Sequence, residues 1–302
     1  MKDIKLTCPS CRGVIELNKQ NFITCSNCKE LFPIVDNIPI LLSDSNCLFS
    51  KKTSLDLTSS GFGSGVSATV SRYLPDISLN KFQDLALNKF IASLDKGSNC
   101  LIIGAGDDEK IKQHIIGNGS HVIVTDVIKS NTIDYVCDVT SLPFSDSQFD
   151  AVFIIAVLEH VIEPVASVSE ISRVLKKDGL VFSAIPFMQQ VHMGCFDFQR
   201  YTLLGHRWLF SSFELMELAP TSGSGSALLW SITSFFQSFS KSYRVSLVVK
   251  ALVRVSLFWI KYFDLLQKNM NDYALGSYFV GKNKKVKIIN HGELIALYKN
   301  DS

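Results

Sequence analysis

The stretch that decides the fold is NCLIIGAG, residues 99–106. Its apolar run, 101–103, is typical of a strand buried on both faces of a parallel sheet. Gly104 and Gly106 end the run, and small residues there let the backbone turn sharply and come close to a ligand. Acidic residues follow from Asp107, and they suit the first turn of a helix. The stretch predicts the nucleotide-binding corner of an open α/β sheet, although an ordinary turn with two glycines has the same pattern.

Strands and helices alternate along the chain on both sides of this corner. A helix is predicted over 79–94, where apolar residues recur at helical spacing, and another over 164–176, which has Pro164 in its first turn. Further apolar stretches predict strands over 121–126, 133–138, 149–155 and 179–185. The alternation predicts an α/β protein with a Rossmann-like, doubly wound, mostly parallel sheet.

The residues that end the predicted strands carry the chemistry, because ligands of such sheets lie at the carboxyl ends of the strands. Asp126 ends the second strand, where a carboxylate accepts two hydrogen bonds from ribose hydroxyls. Asp138 ends the third strand and is placed to accept from an adenine amino group, with Val139 among the apolar neighbours of the ring. Ala156 follows the fourth strand. Single aspartates often only cap helices or fill turns, but this series predicts an adenosine site.

A series of motifs carries a family resemblance. The motifs are GAG at 104–106, Asp126, Asp138 with LPF at 142–144, FDAV at 149–152, LEHV at 158–161 and RVLKKDGL at 173–180. In this order they resemble the signatures of class I S-adenosylmethionine-dependent methyltransferases of type 11, over roughly residues 80–215. The resemblance implies that S-adenosylmethionine binds at Gly104, Ala105, Gly106, Asp126, Asp138, Val139 and Ala156. Two positions depart from the family: Ile102 replaces an acidic residue and a third glycine is absent, so Asp107 is the candidate replacement carboxylate.

Two C-x-x-C pairs lie near the N-terminus: Cys8 with Cys11, and Cys25 with Cys28. Two such knuckles close a four-sulfur zinc site that has no open position, which indicates a structural metal. The stretch 31–42 that follows has the pattern of a strand, an Asp-Asn turn and a second strand. These features are similar to the small zinc-ribbon modules that activate methyltransferases or precede them in bacterial chains.

Three segments are predicted from these patterns. Residues 1–43 form the zinc-ribbon module, and 44–78, rich in Ser, Thr and Gly, form a linker or lid. Residues 79–302 form the methyltransferase domain, which a helical insertion interrupts at about 218–273. After the insertion, 278–281 and 288–298 are expected to return to the sheet as a terminal antiparallel pair.

The insertion is strongly apolar, above all over 245–266. Its cations fall on one narrow stripe if the stretch is helical: Lys250, Arg254, Lys261 and Lys268. A basic stripe with aromatic neighbours suits a helix lying on an anionic membrane, and the charges argue against a spanning segment. The favoured interpretation of the insertion is nevertheless a helical cover for the core or a homodimer contact. Peripheral membrane contact through 226–268 is the alternative.

A loop after the predicted strand 179–185 carries His192 and the pattern DFQRYT at 197–202. The pattern resembles one in bacterial methyltransferases of cell-surface polysaccharide assembly, which implies a sugar or lipid-linked glycan as acceptor. Arg200 then contacts the substrate or pairs with Asp197 to hold the loop. His160 and His192 are candidate general bases because imidazole titrates near neutrality. Transfer from a sulfonium needs mainly an in-line approach and exclusion of water, so a base is not required. For His160 the favoured role is therefore structural, holding the loop after the fourth strand.

Composition bounds the remaining possibilities. The 302 residues suffice for one main domain and a small one, and a formal net charge of +2 gives no overall basic field. This charge excludes neither nucleic acid nor an anionic membrane as a partner. Acidic residues offset the cations of the N-terminal module: Asp3, Glu16, Glu30 and Asp36 against Arg12, Lys19 and Lys29. Nucleic acid is therefore the less favoured partner, and an rRNA or tRNA methyltransferase with a zinc-ribbon grip is the alternative function. The absent third glycine motivates a second alternative, a non-catalytic scaffold. The polar start with early cysteines predicts a cytoplasmic protein, with the inner face of the membrane as a further location.

Overall fold

The structure of the protein is a computed structural model, which describes residues 4–18, 22–43, 49, 51, 54, 75–104, 109–284 and 289–300. Three predicted site residues, Ala105, Gly106 and Asp107, lie outside the described residues. Most of the predicted linker or lid over 44–78 lies outside them as well.

One mixed sheet of eleven strands organises the described part of the chain. The strands are β1 (Ile15–Leu17), β2 (Phe22–Cys25), β3 (Leu31–Val35), β4 (Ile38–Leu41), β5 (Asn99–Ile103), β6 (His121–Asp126), β7 (Tyr135–Cys137), β8 (Phe149–Ile155), β9 (Leu175–Pro186), β10 (Glu214–Ser222) and β11 (Gly276–Lys282). Their order in space is β1-β2-β3-β4-β7-β6-β5-β8-β9-β11-β10. From β4 to β9 in that order, neighbouring strands are parallel, whereas β11 is antiparallel to both β9 and β10. The predicted α/β class with a Rossmann-like, mostly parallel sheet is confirmed.

Helices cover both faces of the sheet. They are α1 (Lys81–Ala92), α2 (Glu109–Gly117), α3 (Pro164–Val174), α4 (Leu203–Leu209), α5 (Ser224–Gln237), α6 (Tyr243–Leu257) and α7 (His291–Asn300). Short 3-10 segments cover Val139–Ser141, Leu158–His160, Gly194–Phe196 and Phe258–Leu266. On one face, Phe90 and Ile91 of α1 pack in a core with Phe153 of β8. On the other face, Val168 and Ile171 of α3 pack in a second core with Val152 of β8. The sheet is thus wound on both sides.

The N-terminal module is continuous with the sheet. Strand β4 pairs in parallel with β7, with Ile40 opposite Val136 and Leu41 opposite Cys137. The hairpin before it turns at Asp36 and Asn37, whose φ angles of 50° and 64° suit a tight two-residue turn. This confirms the predicted strand, turn and strand over 31–42.

The C-terminal part differs from the sequence prediction in two places. Residues 218–222 belong to β10, so the insertion begins after this strand rather than within it. The helix α7 covers most of the stretch 288–298, for which a strand was predicted, and that prediction is wrong. Since β11 already pairs with β9 and β10 along both of its edges, it leaves no place for a later strand.

The insertion between β10 and β11 folds around a small core of its own, made by Ile77, Leu229 and Val253. Its helix α6 ends at Leu257 and a 3-10 segment follows, so the predicted basic stripe is interrupted. Lys261, one of its four cations, is buried and donates to the carbonyl of Asp76 over 2.6 Å. In the described ranges no helix combines the length and the apolar character needed to cross a membrane.

Candidate functional site

The carboxyl ends of four parallel strands meet at one edge of the sheet. Ile103, the last residue of β5, lies opposite Thr125 of β6 and Ile154 of β8. Asp126 at the end of β6 lies opposite Val136 of β7. The predicted cofactor residues that end or follow these strands therefore share one edge, on strands about 4.8 Å apart: Gly104, Asp126, Asp138 and Ala156.

The turn after β5 leaves no room for a side chain. Gly104 has a φ of +71°, and its N–H donates to the carbonyl of Thr125 over 2.8 Å. A Cβ on Gly104 would lie 2.2 Å from a methyl carbon of Val157, which follows β8. Ala156 also has a positive φ, +54°, and is exposed at the edge. Backbone thus lines this part of the edge, as a closely approaching ligand requires.

Local hydrogen bonds hold the two aspartates in place. Asp126 accepts from the N–H of Ile128 over 3.0 Å. One oxygen of Asp138 accepts from both the N–H and the hydroxyl of Thr140, over 2.8 and 2.7 Å. The next residue, Val139, is buried in the core. The edge thus has two oriented carboxylates beside an apolar residue, which is the arrangement that the sequence predicts.

A cluster of one carboxylate and two imidazoles lies beside this edge. The rings of His160 and His192 are 4.9 Å apart, and the Nε2 atom of each is 3.7 Å from Oε1 of Glu159. Burial raises the pKa of Glu159 to about 7 and lowers the pKa of His160. The sequence prediction named both histidines and missed Glu159, although Glu159 stands in the quoted LEHV motif.

Arg200, the third predicted catalytic residue, is engaged within its own loop. It donates to both carboxylate oxygens of Asp197 and to the carbonyls of Gln189 and Gln190. Burial alone would raise the pKa of Asp197, but the hydrogen bonds from Arg200 hold it at about 2. The pair fixes the loop that carries His192, whose N–H also donates to Asp197.

A cavity of about 760 Å³ lies between this loop and α5. Its lining is rich in side-chain amides and hydroxyls, which both donate and accept hydrogen bonds. The lining residues are Gln189, Gln190, Val191, Asp197, Phe198, Gln199, Arg200, Ser234, Gln237 and Ser238. The sequence prediction missed this cavity, because residues of α5 are distant in sequence from the loop.

The four N-terminal cysteines form a second cluster. Their sulfur atoms lie within 4.8 Å of one another, with Cys8 and Cys28 3.6 Å apart and Cys11 and Cys25 3.5 Å apart. A tetrahedral zinc site with Zn–S bonds of about 2.3 Å needs sulfurs about 3.8 Å apart, so the donor set fits zinc. Burial raises the pKa of Cys8 to about 12, whereas the N–H of Gly13 lowers that of Cys11 to about 6. A cation bound to the four sulfurs would stabilise all of them as thiolates.

The module also contacts the turn after β7, where Asp138 lies. Thr7 donates its N–H to the carbonyl of Pro143 over 3.0 Å, and Ser141 donates its hydroxyl to Pro9. Arg12 donates to the carbonyl of Leu142 and to Glu170. The four-cysteine cluster is thereby connected to the edge that carries the predicted adenine site.

Comparison with known proteins adds a family match. Residues 113–183 match the model of a family described as "Methyltransferase domain". A 101-residue segment is 32% identical to the tRNA (carboxymethyluridine(34)-5-O)-methyltransferase alkbh8 of Xenopus tropicalis, covering 31% of this chain and 16% of that protein. This chain thus spans about a sixth of the length of that relative.

Two further relatives match different parts of the chain. A 40-residue segment is 48% identical to a UPF0434 protein of Dechloromonas aromatica (strain RCB), covering 13% of this chain and 69% of that protein. Among solved structures, the phosphoethanolamine N-methyltransferase 2 of Haemonchus contortus in complex with S-adenosyl-L-methionine aligns with a TM-score of 0.47 at 18% identity. That alignment covers 67% of this chain and 52% of the other.

Proposed function

We propose that this chain, which belongs over a 40-residue segment to the UPF0434 family and carries a methyltransferase domain, is an S-adenosylmethionine-dependent methyltransferase. One observation supports this most: Gly104, Asp126 and Asp138 lie at neighbouring strand ends on one edge of the sheet. Both aspartates fall within the matched domain, 113–183. That edge is where open α/β sheets bind their ligands.

The residues at the edge have separate roles in this proposal. When bound, the cofactor supplies an electrophilic methyl group on its sulfonium. Asp126 accepts hydrogen bonds from the ribose hydroxyls, and Asp138 with Val139 holds the adenine. The turn at Gly104 brings the backbone close to the rest of the cofactor. Methyl transfer depends mainly on orientation, so the loop fixed by Arg200 has the task of holding the acceptor in line.

The acceptor that we propose is a sugar or a lipid-linked glycan of cell-surface polysaccharide biosynthesis. The cavity beside the histidines is lined by four glutamines, two serines and two charged residues, whose side chains form hydrogen bonds with groups such as sugar hydroxyls. One wall of the cavity is α5, whose Ser234 and Gln237 point to it. The same helix exposes Phe235 and Phe236 by 58% and 51%. In this proposal, the polar side chains of α5 bind the sugar of the acceptor, and its exposed phenylalanines contact the apolar carrier.

We propose that the insertion lies on an anionic membrane, where such an acceptor is found. Large apolar side chains are exposed along its two helices, the turn between them and the 3-10 segment: Leu228, Phe235, Phe236, Phe239, Val248, Leu252, Val255, Trp259, Phe263 and Leu266. Exposed apolar patches of this extent mark interaction surfaces. Exposed cations accompany them at Lys241, Arg244 and Lys250, and they favour anionic lipid. A homodimer contact through the same surface is the competing occupant.

We propose zinc as the ion of the four-cysteine cluster, in a structural role. Four thiolates occupy all positions of a tetrahedral ion, so the site offers none to a substrate. Elemental analysis of the purified chain is expected to give at least one zinc per chain. Less than about one would contradict a closed zinc site.

RNA is the alternative acceptor, and the segment shared with a tRNA methyltransferase favours it. An RNA grip on the module needs cations that are available to phosphates. Two of its neighbouring cations are engaged elsewhere: Arg12 pairs with Glu170 and Lys51 with Glu30 over 3.1 Å. Among the described cations of the module, Lys5 and Lys29 remain exposed, but they are fewer than the roughly 6–10 phosphate contacts of a nucleic-acid grip, so the glycan is the favoured acceptor.

Methyl transfer from tritium-labelled S-adenosylmethionine tests the proposal with three acceptors: a lipid-linked oligosaccharide, a soluble oligosaccharide and total RNA. We expect label in a glycan, with at least a tenfold loss in Asp126→Ala and none in the exposed control Asp95→Ala. Label in RNA alone would establish the alternative acceptor. Binding of S-adenosylhomocysteine without transfer to any acceptor would favour the non-catalytic scaffold.

A further inference from the structure

We propose that Glu159, His160 and His192 form a binding site for a divalent transition-metal cation, next to the acceptor cavity. The site is distinct from the four-cysteine cluster in both donors and place. Its use in catalysis rests on the proposed function, but its binding of a cation does not.

The three donor atoms are close enough to share one ion. Each Nε2 atom is 3.7 Å from Oε1 of Glu159, and one donor atom from each of the three residues lies within 4.8 Å of the other two. A point equidistant from atoms at these separations is roughly 2.1–2.4 Å from each, close to the bond lengths of about 2.0–2.2 Å for zinc with nitrogen or oxygen. Two imidazoles and one carboxylate suit zinc, manganese, iron or cobalt.

Both imidazoles are held by the nitrogen that faces away from Glu159. Nδ1 of His160 lies 2.8 Å from the carbonyl of Phe196. Nδ1 of His192 lies 3.4 Å from both the carboxylate of Asp197 and the carbonyl of Gln190. Since these partners are acceptors, they place the proton on Nδ1 and leave the Nε2 lone pair for a cation. Metal-binding histidines are typically oriented by such partners.

Arg200 also lies near the imidazole of His192, but it does not displace the proton from Nδ1. Its Nη2 atom lies 3.4 Å from Nδ1 of His192, but it already donates to Asp197 over 2.6 Å and to Gln190 over 3.1 Å. Both of its hydrogens are therefore used. The proton on Nδ1 of His192 remains directed at these two acceptors.

The buried carboxylate of Glu159 is the strongest indication of a bound cation. Its side chain is fully buried, and no described residue hydrogen-bonds to either of its carboxylate oxygens. Its backbone is fixed, because its carbonyl accepts from the N–H groups of Phe198 and Gln199, over 2.9 and 3.2 Å. A buried carboxylate without a donor is costly unless a cation or a proton compensates it. A cation shared with the two imidazoles supplies that compensation.

Three protein ligands leave positions open on the ion. In the transfer, the acceptor oxygen forms a bond to the methyl carbon while the bond between that carbon and sulfur breaks, S-adenosylhomocysteine leaves as a neutral thioether, and the hydroxyl proton passes to water. A hydroxyl bound to the cation loses that proton more readily, which makes its oxygen a better nucleophile. The ligand class that we assign to the open positions is therefore a hydroxyl oxygen of the acceptor, with water when no acceptor is bound.

Manganese binding tests the site, since Mn²⁺ prefers nitrogen and oxygen donors and the four-cysteine cluster does not suit it. The full chain is titrated with MnCl₂, and free Mn²⁺ is followed by electron paramagnetic resonance. We expect about one Mn²⁺ per chain in the wild type, because the chain has one proposed site with nitrogen and oxygen donors. Glu159→Gln and His192→Ala are expected to weaken binding by about tenfold or more. His121→Ala is the matched control and is expected to bind Mn²⁺ as the wild type does. This histidine is exposed and begins β6, at the edge of the sheet opposite to the proposed site.

The result that overturns the site is equal Mn²⁺ binding in the wild type and both variants, or none in the wild type. Binding of S-adenosylhomocysteine, measured on the same samples, shows that each variant is folded and separates the two proposals. Cation binding without any nucleoside binding would leave the metal site standing and contradict the proposed function. Binding of S-adenosylhomocysteine without cation binding would contradict the metal site and leave the proposed function standing.

Discussion

The four-cysteine module, residues 4–43, and the helical insertion, residues 223–275, are attached to the same sheet in opposite ways. The module continues the sheet through the pairing of β4 with β7, and Arg12 connects it to Leu142 and Glu170. The insertion leaves the sheet after β10, returns at β11 and encloses a core of its own. The difference teaches that the module extends the sheet and packs on its core, whereas the insertion exposes apolar side chains that the described residues leave uncovered.

Exposure of the large side chains separates the two regions. In the module, Phe32 and Leu42 are completely buried. In the insertion, Phe239 and Leu266 are exposed by 73% and 74%. A change in the module is therefore expected to alter stability and cofactor binding, and a change on the outer face of the insertion is expected to alter only association.

The largest effect is expected from Cys11→Ser. In the proposed zinc site this substitution removes one ligand, and structural zinc contributes about 10–16 kcal/mol to the folding of small modules, so we expect a loss of several kcal/mol. Because the module contacts the turn of Asp138, binding of S-adenosylhomocysteine is expected to weaken as well. Thermal unfolding and calorimetry measure both effects. Cys195→Ser, at an exposed free cysteine outside the module, is the control. Unchanged unfolding and binding in Cys11→Ser would show that the module does not support the cofactor edge.

The next largest effect is expected on membrane binding in the double variant Phe235→Ser with Phe239→Ser. Each buried phenylalanine contributes about 1.5–3 kcal/mol, so affinity for anionic vesicles is expected to fall roughly a hundredfold or more. Stability is expected to be unchanged because both rings are exposed. Co-sedimentation with vesicles measures the affinity, and Val165→Ser, 72% exposed on α3, is the matched control. A dimer in solution that the double variant dissociates would identify the surface as a homodimer contact instead.

Acid is expected to weaken the sheet beside the insertion through His206. This ring is fully buried between the hydroxyls of Ser183 on β9 and Ser277 on β11, and burial lowers its pKa from 6.5 to about 3. Since the folded state keeps the ring neutral while the unfolded chain gains a proton, stability is present above pH 6.5 and is lost as the pH falls toward 3. Between pH 7 and pH 5 the loss is about 2 kcal/mol.

Chemical unfolding of the wild type and His206→Gln at both pH values measures this term. The variant is expected to be less stable at pH 7 and to lose about 2 kcal/mol less than the wild type on acidification. If both proteins lose the same stability between the two pH values, His206 is not the group that titrates.

The smallest effect is expected from Arg12→Ala. The variant loses a hydrogen bond to Leu142 and an ion pair, but Glu170 keeps its pair with Arg173 at 2.8 Å, so we expect about 1 kcal/mol. Binding of S-adenosylhomocysteine is expected to weaken a fewfold, whereas Lys29→Ala, an exposed cation of the same module, is expected to leave it unchanged. Equal binding in both variants would show that the module and the cofactor edge are independent.

The sheet core could be predicted from the sequence because its strands are buried on both faces. The strand predictions over 121–126 and 149–155 match β6 and β8 residue for residue. The edge strand β10 was missed, since Pro220 and its charged residues give it no apolar pattern, and an edge strand needs none.

The sequence before α7 contains a helix-start signal, which the prediction of a strand over 288–298 overlooked. Asn290 and Glu293 form a reciprocal capping box, each accepting from the N–H of the other over 2.9 and 3.0 Å. The cavity between the loop after β9 and α5 had no such signal, because the two elements meet only in the folded chain. Glu159 was visible in its motif, but only its burial beside two imidazoles gives it a chemical role.

Calorimetric titration with S-adenosylhomocysteine tests most directly whether the shared edge of Gly104, Asp126 and Asp138 is a cofactor site. We expect saturable binding by the wild type and at least a tenfold weaker affinity in Asp126→Ala, since a carboxylate that bonds two hydroxyls contributes roughly 1.5–3 kcal/mol or more. No binding by the wild type, or equal binding by the variant, would contradict the assignment of this edge to S-adenosylmethionine.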